Sequence, residues 1–193
     1  MFLYLGSKAM VMIITISGKP GSGKSTVAKI IAERLNLKHY SIGDFMRDIA
    51  KEKGVSLLEL GKTAEKERWV DDELDKRQIE LGKKEDGFVI DSRLGFYFIP
   101  KSVKVFLDVN LNESAKRIFN AKRKDEKDNL NLKKTKDNIK KRMKSEMLRY
   151  KKYYGLNYYD KKHYDFVVDT SGVSIDKVVG TVVEWLKKKI NLS

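Results

Sequence analysis

A glycine-rich segment between a buried strand and an amphipathic helix is the feature that most restricts how this chain can fold. Residues 12–17 (MIITIS) form a β-branched apolar run bounded by glycine, which predicts a strand buried on both faces. After the glycines, apolar side chains recur at helical spacing at Val27, Ile31 and Leu35. The chain therefore passes from a central strand through a tight turn into a helix. Strands buried on both faces are typical of parallel sheets covered by helices, so this segment predicts an α/β fold.

Strand and helix patterns alternate through the rest of the chain. Short apolar runs that predict strands lie at residues 38–41, 88–91, 103–109 and 165–169. Helical patterns lie between them and follow the last one, with Asp44 and Asn112 placed as N-caps. This alternation predicts a mostly parallel sheet of about five strands with helices on both faces.

Length and composition exclude several classes of protein. The 193 residues include no cysteine, which excludes disulfides, thiolate catalysis and cysteine-ligated metals, and fits a reducing compartment such as the cytoplasm. No apolar run approaches the roughly 20 residues that a bilayer crossing requires, so we expect a soluble protein with no membrane partner. We expect residues 1–11 to be a dispensable N-terminal extension and residues 12–193 to form one domain.

Two stretches without strand patterns, about residues 44–84 and 113–160, are expected to be movable helical inserts. The whole chain has a formal net charge of +14, and residues 116–163 alone carry +12. Such a basic segment can bind nucleic acid, close over a polyphosphate, or form a solvated helix face. Most of its lysines fit the solvated face, so only particular arginines are candidates for function.

The glycine-rich segment itself, residues 18–26 (GKPGSGKST), matches the pattern G-x-x-x-x-G-K-[ST]. Its glycines allow backbone N–H groups to surround an anion, and the helix that follows points its positive dipole end at the same place. Lys24 is expected to reach the outer phosphates of a nucleotide, and the Ser25 hydroxyl to ligate Mg²⁺. The predicted nucleotide-binding residues are Gly18, Lys19, Pro20, Gly21, Ser22, Gly23, Lys24, Ser25 and Thr26.

Polar residues follow two further strand patterns. Ser41 ends one of them, and Arg47 lies one helical turn after Gly43, so its guanidinium can return toward the strand end and hold a second phosphate. Asp91 ends the other, where it can hold Mg²⁺ through water, and Arg93 can reach an acceptor phosphate. A strand-end Asp is otherwise a turn former, and an arginine such as Arg47 is otherwise an exposed helix residue.

On the basic helical pattern, Arg142, Glu146 and Arg149 share one face because they are separated by four and three residues. Two guanidiniums on one side can close over phosphates and stabilise the charge of a transferring group. An intrahelical ion-pair set worth about a few tenths of a kcal/mol explains the spacing equally well. Arg117 and Arg123 are weaker candidates of the same type.

With these residues together, the chain resembles the nucleoside monophosphate kinases, most closely the archaeal-type cytidylate kinases, from about residue 12 to residue 189. The resemblance rests on five segments: GKPGSGKST (18–26), SIGDFMR (41–47), DELDKRQ (72–78), VIDSRL (89–94) and RMKSEMLRYKKYYG (142–155). It implies the P-loop NTPase fold, with a five-stranded parallel sheet of order 2-3-1-4-5 flanked by helices, a helical acceptor-binding insert and an arginine-bearing lid. It also implies Mg²⁺-dependent transfer of the ATP γ-phosphoryl to CMP or dCMP, by an enzyme that we expect to be monomeric.

The resemblance carries over to particular residues of this chain. Residues 18–26 would bind ATP, with Ser25 and Asp91 directed at the metal. The implied catalytic residues are Lys24, Arg142 and Arg149. The implied acceptor-binding residues are Ser41, Gly43, Arg47, Asp75 and Arg93.

Two positions depart from the family pattern. Leu94 stands where bacterial relatives have an aspartate that contacts the acceptor, and Ser92 stands where glycine is expected. The pyrimidine must then be read by other residues, for which Asp75, Arg77 and Gln78 are candidates in the acceptor insert. A solvated helix face explains these three equally well.

Two other functions remain open from the sequence. One is a P-loop kinase for another acceptor, such as AMP, UMP or a small metabolite. The other is a P-loop ATPase or binding module that uses its basic segment on RNA. Nucleic acid is not expected as a partner, because the aromatic residues cluster near 150–164 and do not interleave with the basic residues.

Overall fold

The computed structural model describes residues 12–121 and 131–191, and it has one sheet with helices on both faces. The strands are β1 (Ile13–Gly18), β2 (Lys38–Ser41), β3 (Phe88–Asp91), β4 (Val103–Asp108) and β5 (Phe166–Asp169). The helices are α1 (Lys24–Leu35), α2 (Ile42–Glu52), α3 (Leu57–Lys66), α4 (Trp69–Lys84), α5 (Gly95–Phe98), α6 (Leu111–Asn120), α7 (Leu132–Tyr154) and α8 (Ile175–Asn191). The predicted extension at residues 1–11 and the candidate Arg123 lie outside the described residues.

In the described part of the chain, five parallel strands form the sheet in the order β2-β3-β1-β4-β5. The predicted fold class and strand order are therefore confirmed. β1 is central and every one of its residues is buried, as its uninterrupted apolar run predicts. Alternate side chains along it face opposite sides: Ile14 and Ile16 pack with α1 and α8, whereas Ile13 packs with Phe88 on the other face.

Both predicted N-caps are wrong, and in each case the helix begins earlier. Ser41 caps α2 by accepting a hydrogen bond from the Gly43 N–H (3.1 Å), because β2 runs into α2 without a connecting loop. Asp44 instead lies in the first turn of α2. Asn110 caps α6 because β4 ends at Asp108, and its side chain accepts from the Glu113 N–H (2.9 Å).

The parallel arrangement brings the candidate site residues to one edge of the sheet. β1, β2 and β3 end at Gly18, Ser41 and Asp91, and Ser41 lies beside Asp91 in the strand register. Ligands of open α/β sheets bind beyond the carboxyl ends of the strands. Residues 44–84 and 113–160 are mainly helical where they are described, with α2 to α4 in the first and α6 and α7 in the second. Across residues 12–121 and 131–191, no helix is long and apolar enough to cross a membrane.

Candidate active site

The loop after β1 is formed by close backbone contacts that only glycine permits. A Cβ on Gly18 would lie 2.3 Å from the carbonyl oxygen of Leu107 in β4. Gly21 has a φ of 71°, and a Cβ there would lie 2.8 Å from the hydroxyl of Ser114 in α6. The same hydroxyl donates a hydrogen bond to the Pro20 carbonyl (2.8 Å). Packing against β4 and α6 therefore fixes the loop in the curled form that suits an anion.

Lys24 lies at the start of α1 with its ammonium directed back into the loop. It donates hydrogen bonds to the carbonyls of Gly18 (3.0 Å) and Lys19 (3.2 Å). Burial, with a smaller effect of the nearby guanidiniums of Arg93 and Arg142, lowers the pKa of Lys24 to about 7. The positive charge at this point is thus incompletely balanced by the protein. A bound polyphosphate would supply the missing negative charge.

Ser25 and Asp91 form a small cluster of oxygen atoms beside the loop. The Ser25 hydroxyl donates to Asp91 Oδ1 (3.1 Å), and Asp91 Oδ2 lies 3.3 Å from Nε2 of His39. Asp91 is buried, and its Oδ2 atom has no hydrogen-bond partner among the described residues. A hydroxyl next to a carboxylate matches the ligands that Mg²⁺ prefers when it also binds phosphate oxygens. Within the described ranges, no three His, Asp or Glu side chains converge on a metal position, so phosphates would have to complete the coordination.

A cavity of about 390 Å³ joins the loop to the ends of β2 and β3. Its walls include most of the predicted site residues: Gly21, Gly23, Lys24, Ser25, Thr26, Ser41, Gly43, Asp91, Arg93 and Arg142. Two loop side chains are directed elsewhere. Lys19 pairs with Asp108 (2.6 Å), and the Ser22 side chain is buried. Their backbone N–H groups donate to carbonyls of the protein, Lys19 to Leu107 (3.2 Å) and Ser22 to Lys19 (3.2 Å). These two residues therefore shape the loop more directly than they face a nucleotide.

Glu146 connects two candidate phosphate-binding arginines. One of its oxygens lies 3.0 Å from Arg93 Nη2 and 3.0 Å from Arg142 Nε, and the other accepts the hydroxyl of Tyr158 (2.6 Å). Burial opposes ionisation of Glu146, but the two guanidiniums and the hydroxyl outweigh it and hold its pKa at about 2. Glu146 is therefore a buried carboxylate that holds Arg93 and Arg142 at the cavity wall.

Arg149 lines an adjoining cavity of about 640 Å³ that also contacts Arg93 and Arg142. Its Nε atom lies 3.6 Å from Asp71 Oδ2, and its Nη1 donates to the Ala64 carbonyl (3.3 Å). Three of the predicted arginines thus lie around two connected cavities. The helical spacing of Arg142 and Arg149 was visible in the sequence, but their common neighbour Arg93 comes from the end of a distant strand.

Arg47 does not itself line the 390 Å³ cavity, which we call the main cavity, but its neighbours Gly43 and Met46 do. Its guanidinium pairs with Asp44 and passes close to Gly43, with Nη1 3.7 Å from the position that a Cβ on Gly43 would occupy. The side chain is 60% exposed, so its rotation toward the cavity requires only the loss of a surface ion pair.

The three candidates for reading the acceptor base have different surroundings. Asp75 lines a recess of about 40 Å³ beside Arg93. Gln78 lines it too, but its side-chain oxygen accepts the Ser92 hydroxyl (2.5 Å) and its NH₂ group donates to the Leu74 carbonyl (3.3 Å). Arg77 does not line the recess, and it pairs with Glu52 (2.5 Å) and Glu73 (3.1 Å). Ser92, unexpected in place of glycine, is therefore held by Gln78.

Two residues, Arg117 and Glu146, make more contacts around the site than their sequence patterns indicate. Arg117 lines the main cavity, and its guanidinium donates to the carbonyl (2.6 Å) and hydroxyl (3.1 Å) oxygens of Thr170, which joins α6 to the end of β5. Glu146 was identified only as part of a helical ion-pair set. The helical spacing of Glu146 predicts its pairing with Arg142, whereas nothing in the sequence predicts its contact with Arg93.

Known proteins are similar to this chain over most of its length. Residues 13–172 match the Cytidylate kinase-like family. A curated protein of Natronomonas pharaonis named "Cytidylate kinase" is 40% identical over 173 residues, which is 89% of this chain and 87% of that protein. Another of that name, from Methanococcoides burtonii, is 36% identical over 182 residues, covering 94% of this chain and 98% of the relative.

A solved structure of similar fold is a shikimate kinase from Bacteroides thetaiotaomicron. It is 15% identical, covers 92% of this chain and 99% of its own, and gives a TM-score of 0.65. At that identity the likeness concerns the fold alone. The match over residues 13–172, together with the full-length relatives, shows that this chain belongs to the cytidylate kinase-like family.

Proposed function

We propose that this protein is a cytidylate kinase, which transfers the γ-phosphoryl group of ATP to CMP or dCMP. The observation that carries the proposal is the convergence of the glycine-rich loop, Lys24, Arg93 and Arg142 on one cavity, in a chain of the cytidylate kinase-like family. Such a cavity provides for a polyphosphate on one side and a second phosphate, held by arginine, on the other.

The chain's own residues would act by position and charge. Backbone N–H groups of the loop that make no bond within the protein, together with the ammonium of Lys24, hold the triphosphate. Arg93 and Arg47 hold the acceptor phosphate, which is already an anion at neutral pH and needs no protein base to attack in line. Arg142 and Arg149 approach the transferring group and stabilise the charge of the transition state. No covalent intermediate with the protein is required.

Mg²⁺ is the expected partner of ATP at this site, and Ser25 and Asp91 would hold it. The cation would neutralise phosphate charge and orient the phosphates. The hydroxyl of Ser25 would be a direct ligand, and Asp91 would hold the cation through water. Asp91→Asn should then raise the Mg²⁺ concentration needed for half-maximal rate while leaving the acceptor KM unchanged.

The donor base would occupy a separate cavity of about 450 Å³ beside the loop. This cavity is lined by Ser22, Gly23, Arg117, Thr170 and Ile175, among others. It lies against Gly23 of the loop, and Arg117 borders both this cavity and the main one. ATP would therefore extend from this cavity over the start of α1.

An acceptor panel tests the proposal most directly. ADP formation is measured with ATP, Mg²⁺ and each of CMP, dCMP, UMP, AMP and shikimate, and we expect the highest kcat/KM with CMP or dCMP. Greatest turnover with AMP, UMP or shikimate would replace the proposed acceptor. ATP hydrolysis that no acceptor stimulates would favour an ATPase.

The RNA-binding alternative receives no support from the aromatic residues of the basic segment. Tyr150, Tyr158 and Tyr164 are buried together with Phe96 and Phe106, so these rings are not available to stack on bases. We propose that the enzyme is a cytoplasmic monomer. Sedimentation of the purified protein with and without ATP tests the oligomeric state.

A further inference from the structure

The recess beside Arg93 has chemistry that the transfer reaction does not use. Its volume is about 40 Å³, and its walls come from α4, α7, the start of α2 and residues 92–94 after β3. Ile42, Ser92 and Arg93 line both this recess and the main cavity, so the two spaces adjoin. A space of this size holds the edge of a base and not a whole nucleotide. A nucleotide whose phosphate is bound in the main cavity could therefore insert a single functional group here.

Two carboxylates one helical turn apart on α4 line the recess. Asp71 is 7% exposed, and its Oδ2 atom has no hydrogen-bond partner among the described residues. Its nearest opposite charge is Arg149 Nε, at 3.6 Å. The Oδ2 atom of Asp75 accepts the hydroxyl of Tyr154 (2.5 Å). A buried acceptor without a donor is destabilising, so a ligand that donates hydrogen bonds to this pair would bind favourably.

The recess is also lined by Arg93, which pairs with Glu146 through Nη2 (3.0 Å) and is assigned above to the acceptor phosphate, and by Tyr154, whose hydroxyl donates to Asp75. The Gln78 amide is already used by Ser92 and by the Leu74 carbonyl. Leu94 contributes an apolar wall. An amine entering this space would donate to carboxylate oxygens, whereas a carbonyl would face them and be repelled.

We propose that Asp71 and Asp75 recognise the exocyclic amine of the acceptor base and thereby select cytosine over uracil. The inference rests on the proposed function, because it concerns the acceptor of the same reaction. The residues that select the base would then lie on α4, whereas Leu94 follows β3. The discrimination is between an amine and a carbonyl and does not depend on ring size, so the same contacts would not exclude AMP.

The ionisation of Asp75 gives this selection a pH dependence. Burial raises its pKa to about 7, with a further contribution from Asp71, while the hydroxyl of Tyr154 acts in the opposite direction. A protonated Asp75 can donate a hydrogen bond to the uracil carbonyl, so the preference for CMP should weaken as the pH falls through 7. The charged and titratable groups around the pair are Arg68 and Asp72 on α4, Arg149, Tyr150 and Tyr154 on α7, and Arg93 after β3.

The test compares kcat/KM for CMP and UMP in the full chain with saturating ATP and Mg²⁺. Asp75→Asn and Asp71→Asn replace an acceptor oxygen with an NH₂ group that can donate to uracil. Asp72→Asn is the matched control, because Asp72 is 55% exposed and pairs with Arg68 (2.9 Å). We expect each of the first two variants to lower the CMP/UMP ratio about ten- to a hundredfold, with the KM for ATP unchanged. The control should keep the wild-type ratio.

The outcomes separate this inference from the proposed function. If the wild-type enzyme prefers CMP and both variants retain that preference, the selection by Asp71 and Asp75 is disproved and the kinase assignment stands. If the wild-type enzyme phosphorylates no pyrimidine monophosphate, the proposed function fails and the inference fails with it.

A pH series on the wild-type enzyme decides the matter if the variants do not fold. CMP and UMP carry the same phosphate, so ionisation of that phosphate cancels in the ratio of their kcat/KM values. We expect the CMP/UMP ratio to be about fivefold or more higher at pH 8 than at pH 6. A ratio that stays constant over this interval would overturn the inference.

Discussion

The two sides of the active-site cavity are built in different ways. The glycine-rich loop is one contiguous segment, residues 18–26, which we propose to bind phosphates mainly through backbone N–H groups and a helix N-terminus. The opposite side is assembled from side chains of separate elements: Arg93 follows β3, whereas Arg142, Glu146 and Arg149 lie on α7. The loop is fixed by close glycine contacts, and two of the arginines, Arg93 and Arg142, are fixed by a shared buried carboxylate. The first can be recognised as a motif, and the second exists only when the chain is folded.

The largest effect is expected from a substitution in the loop, at Lys24. Lys24→Ala removes the one ammonium that lies within the loop, and we expect kcat to fall about a thousandfold because the transferring group loses a stabilising charge. Folding should be preserved, since Lys24 is costly to bury and its pKa is lowered to about 7. Steady-state ADP release and thermal unfolding measure the two quantities. Lys29→Ala, at an exposed position of the same helix, is the control; near-normal turnover of Lys24→Ala would remove Lys24 from the chemistry.

The next largest effect is expected on the opposite side of the cavity, from a substitution of Glu146. Glu146→Gln leaves Arg93 and Arg142 without their buried counter-charge, and we expect the free energy of unfolding at pH 7 to fall by about 3 kcal/mol. The pKa of Glu146 is about 2 in the folded protein and 4.5 ordinarily. Its stabilising contribution is therefore complete above about pH 4.5 and is lost as the pH falls toward 2.

Urea unfolding of the wild-type protein and Glu146→Gln at pH 7, 4 and 2.5 measures this prediction. The difference between the two proteins should shrink at each step. Glu80→Gln, which breaks an exposed pair with Lys84, should leave stability unchanged at every pH. A difference that does not depend on pH would mean that the charge of Glu146 is not what stabilises the arginines.

A smaller effect tests whether the loop depends on close backbone contact. Gly18→Ala places a Cβ 2.3 Å from the Leu107 carbonyl oxygen, and we expect it to cost about 2 kcal/mol of stability as β1 and β4 move apart. Gly155→Ala is the comparison, because Gly155 also has a positive φ (69°) but nothing lies within 4 Å of its Cβ position. That variant should cost about 1 kcal/mol. Equal losses in urea unfolding would show that backbone conformation alone, without crowding, explains the glycine.

The smallest effect concerns the edge of the cavity. Arg47→Ala should raise the KM for CMP about tenfold and leave kcat within about twofold, because an exposed guanidinium contributes to binding the acceptor and not to the transition state. Arg34→Ala, which removes an exposed arginine paired with Asp176, is the control. A loss confined to kcat would place Arg47 near the transferring group.

The sequence predicted local features well where a single stretch of chain contains the whole cause. The β1 strand, the glycine loop and the following helix are one continuous pattern, and so is the order of strands and helices along the chain. The caps at Asp44 and Asn112 were misplaced because the structure joins strand to helix with shorter connections than the polar residues suggested. The sequence alone did not favour any one of Asp75, Arg77 and Gln78 as the residue that reads the acceptor base. Only their folded partners separate them, since Gln78 holds Ser92 and Arg77 pairs outside the recess.

The sequence by itself determined the fold class and the glycine-rich loop, because hydrophobic periodicity and glycine placement act over short distances along the chain. It also named the arginines as candidates. The tertiary structure alone decided that Glu146 joins Arg93 to Arg142, that Ser25 meets Asp91, and that Asp71 and Asp75 line a recess beside the cavity. These contacts join residues far apart in sequence. They depend on how α4 and α7 pack against the ends of the strands, which no local pattern specifies.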